Sequence, residues 1–97
     1  MNGWLYILEC CDGSYYTEST IDLIARLVKH RTGNGANYTK KRLPVKLIYI
    51  ELHKTIFSAY QRENEVKGWS RAKKTALINY DWSMLPELSR NYKDYPE

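Results

Sequence analysis

Within its first thirty residues the chain changes hydrophobic period once, and that change leaves few folds open to it. Gly3 to Cys10 reads GWLYILEC, rich in aromatic and β-branched side chains, which predicts a strand. Asp12-Gly13 is a turn signal, so Ser14 to Thr17 is expected to return antiparallel as the second arm of a hairpin. From Thr20 the spacing becomes helical: Ile21, Ile24, Leu27 and Val28 recur as a stripe that Leu23 widens. Thr20 is the expected N-cap, Asp22 suits the positive end of the helix dipole, and the helix should stop before Gly33. Away from the stripe, Asp22, Arg26 and His30 follow at i, i+4 and i+8. Such a row fits either an exposed salt-bridge ladder or polar groups aimed at a ligand.

RTGNGANYTKKRLP reads as a loop and lacks the spacing of a phosphate-binding P-loop. Val45 to Leu52 (VKLIYIEL) predicts a third strand, mostly apolar and expected to be well buried. Thr55 can cap a second helix with Phe57, Ala59, Tyr60 and Val66 on its apolar side. Glu63 falls at the edge of that side, where a carboxylate costs energy unless it is paired, hydrogen-bonded or bound to a cation. Gly68 closes this helix and Ser70 opens a short basic one, SRAKKTALI. The tail carries Trp82, Leu85, Leu88, Pro86 and Pro96 and is expected to pack by its aromatics and then fray. The order β-β-α-β-α-α predicts a small α+β domain with a mainly antiparallel three-stranded sheet over residues 1–80. Residues 81–97 form an extension that packs on that domain or trails from it.

Ninety-seven residues are enough for one modest core. The apolar runs are a few residues long, far short of the roughly 20 that span a bilayer, so no membrane role is expected. MNGWLYILEC has no basic n-region and carries Glu9 in its apolar stretch, which argues against a signal peptide and for the cytoplasm. Cys10 and Cys11 are adjacent and His30 and His53 are far apart, so neither a disulfide scaffold nor a zinc module is expected. The net charge is +4, and from Ser19 to Ile50 Asp22 is the one acid among Arg26, Lys29, Arg31, Lys40, Lys41, Arg42 and Lys46. That distribution points to a polyanion such as nucleic acid, with a merely solvated surface as the plain alternative.

No serine triad, cysteine–histidine pair or carboxylate cluster for two metals suggests itself, which leaves tyrosine, arginine, histidine and one glutamate. Nine tyrosines are many for this length, and most serve as amphipathic packing residues. Tyr6 and Tyr16 form a better pair, because strand alternation can bring both to one face of the hairpin. If the first helix packs there, Arg26 and His30 reach the same side. Two phenols, a guanidinium and an imidazole can contact a phosphodiester and its attacking water. Glu63 with one divalent ion would neutralise charge developing in the transition state.

W-L-Y-I-L at 4–8, Y-T-E at 16–18, R-L-x-K-H at 26–30 and A-Y-Q-R-E at 59–63 together resemble the GIY-YIG nuclease superfamily. The likeness is to its small single-domain branch, related to the N-terminal nuclease domain of the excision-repair nuclease. It runs from Trp4 to Ile78 and includes GANYTKKRLPVKL and KGWSRAKK. The resemblance implies an endonuclease-type domain that hydrolyses phosphodiester bonds, in DNA ahead of RNA, without a small-molecule cofactor. Tyr6 and Tyr16 match the tyrosines of the two signature motifs, one of which activates the water as base or through metal-bound water. Arg26 matches the arginine that clamps the scissile phosphate, a bidentate task. His30 matches a histidine that assists proton transfer or phosphate contact. Glu63 matches the sole protein ligand of one Mg²⁺ or Mn²⁺, whose other positions are water and phosphate oxygens. Lys40, Lys41, Arg42, Lys67 and Arg71 are candidates for backbone contacts.

The first motif's glycine is Trp4 here, and the second motif's glycine is Glu18. On a continuing strand Glu18 shares a face with Tyr16, can pair with Arg26 and would repel a phosphate. At about 4 Å and an effective dielectric near 20, such a pair interacts by about 4 kcal/mol, enough to compete with substrate. Alternatively the strand ends at Thr17 and Glu18 turns to solvent, caps the helix or acts as a second metal ligand. The first outcome implies a nucleic-acid-binding module with weakened or lost turnover.

Overall fold

The structure, a computed structural model, describes residues 1–79. Its elements in order are β1 (Gly3–Glu9), β2 (Tyr15–Thr20), α1 (Leu23–Arg31), α2 (Asn37–Lys40), β3 (Lys46–His53), α3 (Ile56–Lys67) and α4 (Arg71–Ile78). This is the expected α+β order with one short helix, α2, added inside the segment read as a loop. The expected extension over 81–97 lies outside the described residues. The fold divides into two compact units, Met1–Asn64 and a second from Glu65 onward. Among the described residues no helix is long and apolar enough to cross a membrane.

The three strands form one antiparallel sheet in the order β2-β1-β3. Residues Cys11–Gly13 turn the chain between β1 and β2, with Gly13 at φ +82° and its N–H donating to Cys10 O at 2.9 Å. Glycine reaches that left-handed conformation without a steric penalty. The returning strand extends three residues past the expected Thr17, and Glu18 pairs directly opposite Tyr6. Glu18 therefore occupies an ordinary extended position and does not cap the helix.

β1 is the central strand and carries the core, with Leu5, Tyr6, Ile7 and Leu8 all fully buried. On one face Tyr6 and Leu8 pack with Leu27 of α1, bordered by Tyr16, Leu23, Val45 and Leu47. On the other, Gly3 lies against the start of α3: a Cβ there would sit 2.6 Å from Ile56 Cα and 3.0 Å from Thr55 O. Thr55 caps α3 as expected, its Oγ1 accepting from Ser58 N at 3.1 Å. In the second unit Ser70 caps α4 by accepting from Lys73 N at 3.2 Å, and Lys73 is buried with its Nζ 3.8 Å from the Trp69 ring centroid.

Three expectations are corrected. The cap of α1 is Asp22, which accepts from Ala25 N at 3.0 Å, and not Thr20. The apolar stripe of α1 is split: Leu27 is buried, but Ile21, Ile24 and Val28 are 52%, 71% and 53% exposed. The helix is rotated so that Arg26, Leu27 and His30 meet the sheet, and polar contacts outrank part of the apolar pattern. The third strand is not well buried. It lies at the sheet edge with Tyr49 buried and Ile50 and Leu52 exposed, because an edge strand has one neighbour where a central strand has two.

Replacing Gly3 by alanine forces its new methyl into α3 backbone atoms that cannot step aside. Urea unfolding should show a loss of about 1–3 kcal/mol with an unchanged m-value.

Candidate active site

Tyr6 on β1, Tyr16 on β2, and Arg26 and His30 on α1 come together as expected, and Glu18 stands at their centre. Arg26 grips the Glu18 carboxylate with both arms of its fork, Nε to Oε1 at 2.7 Å and Nη2 to Oε2 at 3.0 Å. Tyr16 donates to Oε2 at 2.8 Å, and Tyr6 donates to Oε1. The carboxylate thus collects two phenols and a bidentate guanidinium, the donor set that would surround a bound phosphate.

Burial would raise the carboxyl pKa of Glu18. Hydrogen bonds from Arg26, Tyr6 and Tyr16, with the Arg26 charge, outweigh it and hold the group down at about 2. The same carboxylate acts in reverse on the phenols. Burial first, then the hydrogen bond to Glu18 and its negative charge, push Tyr6 and Tyr16 far above the usual phenol range. Arg26 is raised by its hydrogen bond to Glu18 and stays protonated throughout. At neutral pH the site contains one carboxylate, one guanidinium and two intact phenols.

The protons of His30 follow from that charge state. An ionised Glu18 can only accept, so the single Tyr6 proton is committed to it. The 2.8 Å contact between Tyr6 Oη and His30 Nε2 then requires Nε2–H to donate to the phenol oxygen. Nδ1 is left to accept from the Thr39 hydroxyl at 2.8 Å, a shorter contact than the 3.1 Å from Thr39 Oγ1 to Ala36 O that competes for the same proton. His30 and Thr39 are both fully buried, and burial lowers the His30 pKa, which keeps the ring neutral. Thr39, in α2, was not anticipated as a site residue. Its signal was Gly35, where an added Cβ would overlap His30 Nδ1, so the loop backbone lies directly on the imidazole.

Glu63 is buried but does not join this cluster directly. Its Oε1 accepts from Ser19 N at 2.8 Å and Ser19 Oγ at 2.6 Å. By strand alternation Ser19 projects away from the face that carries Tyr16 and Glu18. The charge on Glu63 still contributes to the raised pKa of Tyr16. Two residues before Ser19 on the same face, Thr17 Oγ1 is buried with no hydrogen-bond partner among the described residues. No group of three or more His, Cys, Asp or Glu able to hold a metal occurs among the described residues. A metal at Glu63 therefore needs water and substrate oxygens for its remaining positions, a coordination that suits Mg²⁺.

The orientation of α3, and with it Glu63, is fixed by a second polar cluster on β3. Arg62 donates to Glu51 through Nε at 3.2 Å and Nη2 at 3.2 Å, and Tyr49 donates to Glu51 at 2.6 Å. His53 bridges Glu51 Oε1 at 2.9 Å and Ser58 Oγ at 2.8 Å. Burial raises the Glu51 pKa, but the Tyr49 hydrogen bond and the Arg62 charge outweigh it, so Glu51 is held below its ordinary value.

The expected backbone-contact residues differ in state. Lys40 and Lys41 are exposed at the end of α2, and Lys67 and Arg71 are exposed in the second unit. Arg42 is half-buried and already engaged, with Nε 3.1 Å from Asp12 Oδ2 and Nη1 2.9 Å from Tyr38 O.

Residues 2–76 match the GIY-YIG catalytic domain. The chain belongs to the GIY-YIG family. It is 47% identical over 76 residues to the UPF0213 protein SSP2268 of Staphylococcus saprophyticus, covering 78% of this chain and 93% of that protein. It is 48% identical over 75 residues to a UPF0213 protein of Staphylococcus aureus, covering 77% and 92%. The solution NMR structure of the UPF0213 protein BH0048 from Bacillus halodurans is similar at 44% identity and a TM-score of 0.56, covering 82% of this chain and 85% of that one. These relatives place the chain among the small single-domain GIY-YIG proteins, and the family implies nuclease-type activity.

Two outcomes follow from the charge state of Glu18. Its folded pKa is depressed, so its stabilisation is complete above about pH 4.5 and is lost as pH falls toward about 2. Acid unfolding of the wild type should therefore cost about 2 kcal/mol more over that window than Glu18→Gln, measured by urea titration at each pH. In addition, ¹⁵N NMR of the wild type should show His30 with its proton on Nε2. Glu18→Gly, which frees the Tyr6 proton to turn toward the ring, should move the His30 proton to Nδ1.

Proposed function

We propose that this GIY-YIG domain binds nucleic acid, DNA in the first instance, through a phosphodiester-cleaving site whose turnover is held down by Glu18. The observation that carries the reading is the occupancy of the Arg26 fork. In the family pattern this arginine faces the scissile phosphate, and here both of its arms already hold a carboxylate that Tyr6 and Tyr16 also serve. A phosphate entering the site must displace that carboxylate. A close pair of this kind interacts by about 4 kcal/mol at an effective dielectric near 20, roughly three decades of affinity before the new contacts are counted.

Displaced from Glu18, the same groups form a phosphate site. Arg26 binds two non-bridging oxygens, the phenols donate to the phosphate, and His30 Nε2 lies next to Tyr6 to pass or receive a proton. With Glu18 in place the raised phenol pKa values favour hydrogen-bond donation over base catalysis. Removing its charge and hydrogen bonds takes away every raising cause on Tyr6 except burial. Glu63 is the residue that would hold one Mg²⁺ or Mn²⁺, and the ion would supply Lewis-acid stabilisation of charge on the phosphate. Lys40, Lys41, Lys67 and Arg71 are exposed cations suited to the nucleic-acid backbone. The free thiols of Cys10 and Cys11 suit a reducing cytoplasm as the place of work.

Metal-dependent nicking of plasmid and branched DNA tests the proposal. Wild type should be slow, and Glu18→Gly, still folded though less stable by about 2 kcal/mol, faster by about a hundredfold. Adding Glu63→Ala to that variant should return cleavage to background. Wild-type cleavage as fast as that of Glu18→Gly would remove the inhibitory role of Glu18. Undiminished activity after loss of Glu63 would remove the assigned metal site.

A further inference from the structure

Outside the Glu18 cluster, the site is continued by a column of planar groups. The Tyr16 and Tyr38 rings are stacked, 5.8 Å between centroids and 18° from parallel. Arg42 lies on the same column, its Cζ 3.8 Å from the Tyr38 centroid. At the inner end, His30 meets Tyr16 edge-on at 5.5 Å. The column thus leads from the centre of the candidate active site to a surface where Tyr38 is 37% exposed and the Arg42 side chain 33% exposed.

We infer that Tyr38 and Arg42 form a platform on which an unpaired base of a single-stranded nucleic acid stacks, next to the site built on Tyr16. The inference rests on the nucleic-acid reading above and names its substrate class. Three features support a base rather than a phosphate as the occupant. The Arg42 charge is already answered by Asp12, so what it offers a ligand is chiefly a flat face. That face is held in orientation at two points, by Asp12 at Nε and by the Tyr38 carbonyl at Nη1, so little order remains to be gained on binding. Lys40 and Lys41, exposed immediately before Arg42, supply the charge that a flanking phosphate needs.

The geometry also separates single strands from duplex. Nucleobases stack on guanidinium planes and aromatic rings by their faces, and a paired, stacked duplex presents only base edges. An unpaired base meets the platform at no unstacking cost, whereas a duplex must first be opened. The anchoring is also local, because Cys11 N donates to Arg42 O at 3.0 Å and ties the platform to the β1–β2 turn.

The test uses the full chain in excess EDTA, so that binding is read without cleavage. A single-stranded oligonucleotide carrying 2-aminopurine and the matching duplex are titrated at equal salt. Wild type should bind the single strand about tenfold more tightly than the duplex and quench its 2-aminopurine fluorescence. Tyr38→Leu should lose the preference and the quenching while duplex affinity and circular dichroism stay as they were, and Tyr38→Phe should keep both. Arg42→Lys, which preserves charge and removes the plane, should also lose them, and it decides the matter if Tyr38→Leu fails to fold. Equal affinity for duplex and single strand, or a preference that survives Arg42→Lys, overturns the platform and leaves the broader reading standing. Failure to bind either nucleic acid overturns both.

Discussion

The Glu18 carboxylate accepts from Tyr6, Tyr16 and Arg26 at once, and these donors come from β1, β2 and α1. A half-buried charge needs such company, because an unpaired one in the same place would cost several kcal/mol. The arrangement fixes much of its surroundings in consequence. It turns α1 so that Arg26 and His30 face the sheet, and it leaves Ile24 and Val28 outside. It commits the Tyr6 proton, and through Tyr6 it sets the tautomer of a fully buried histidine two hydrogen bonds from the carboxylate.

That chain of hydrogen bonds explains why the segment between α1 and β3 is built as it is. Gly35 brings backbone against the imidazole, and α2 then carries Thr39 to Nδ1. The same one-turn helix places Tyr38 against Tyr16 and is followed by Arg42, so a single short element closes the buried end of the site and opens its exposed end. On the other face of the sheet the Glu51 cluster does comparable work, joining Arg62 to β3 immediately before Glu63. Both polar clusters bind a helix to a strand: one holds the proposed phosphate clamp, and the other orients the helix that carries the proposed metal ligand.

Much of this was legible in the chain. The switch from strand to helical period located β1, the turn and α1, and the Thr55, Gly68 and Ser70 signals bounded α3 and α4. Strand alternation put Tyr6 and Tyr16 together, and the spacing from Arg26 to His30 put both on the side they share with Glu18. What was not legible has physical reasons. Propensity cannot show that VKLIYIEL is an edge strand, because edge and centre are decided by which strands pair. The stripe of α1 misled because burial there is set by hydrogen bonds to one carboxylate as much as by apolar area. Thr39 and Tyr38 act through a four-residue helix too short to leave a periodic trace, so only Gly35 and the basic triplet marked the segment.

A glycine in a signature motif can be there for its backbone or for the space it leaves, and the two cases have different consequences when a side chain replaces it. Here β2 runs unbroken through Glu18, opposite Tyr6, so the backbone at this position is one any residue adopts. The path of β2 is therefore indifferent to the substitution, and the change acts through the side chain alone. That side chain brings a negative charge to the place where a cleaving site must receive one. It satisfies the donors and lowers their energy before any substrate arrives, which stabilises the ground state of the protein and not the transition state of a reaction. On the proposed reading, stability and turnover are thus set against each other at one residue, while the surfaces proposed to hold nucleic acid lie elsewhere, on α2 and the cations around it.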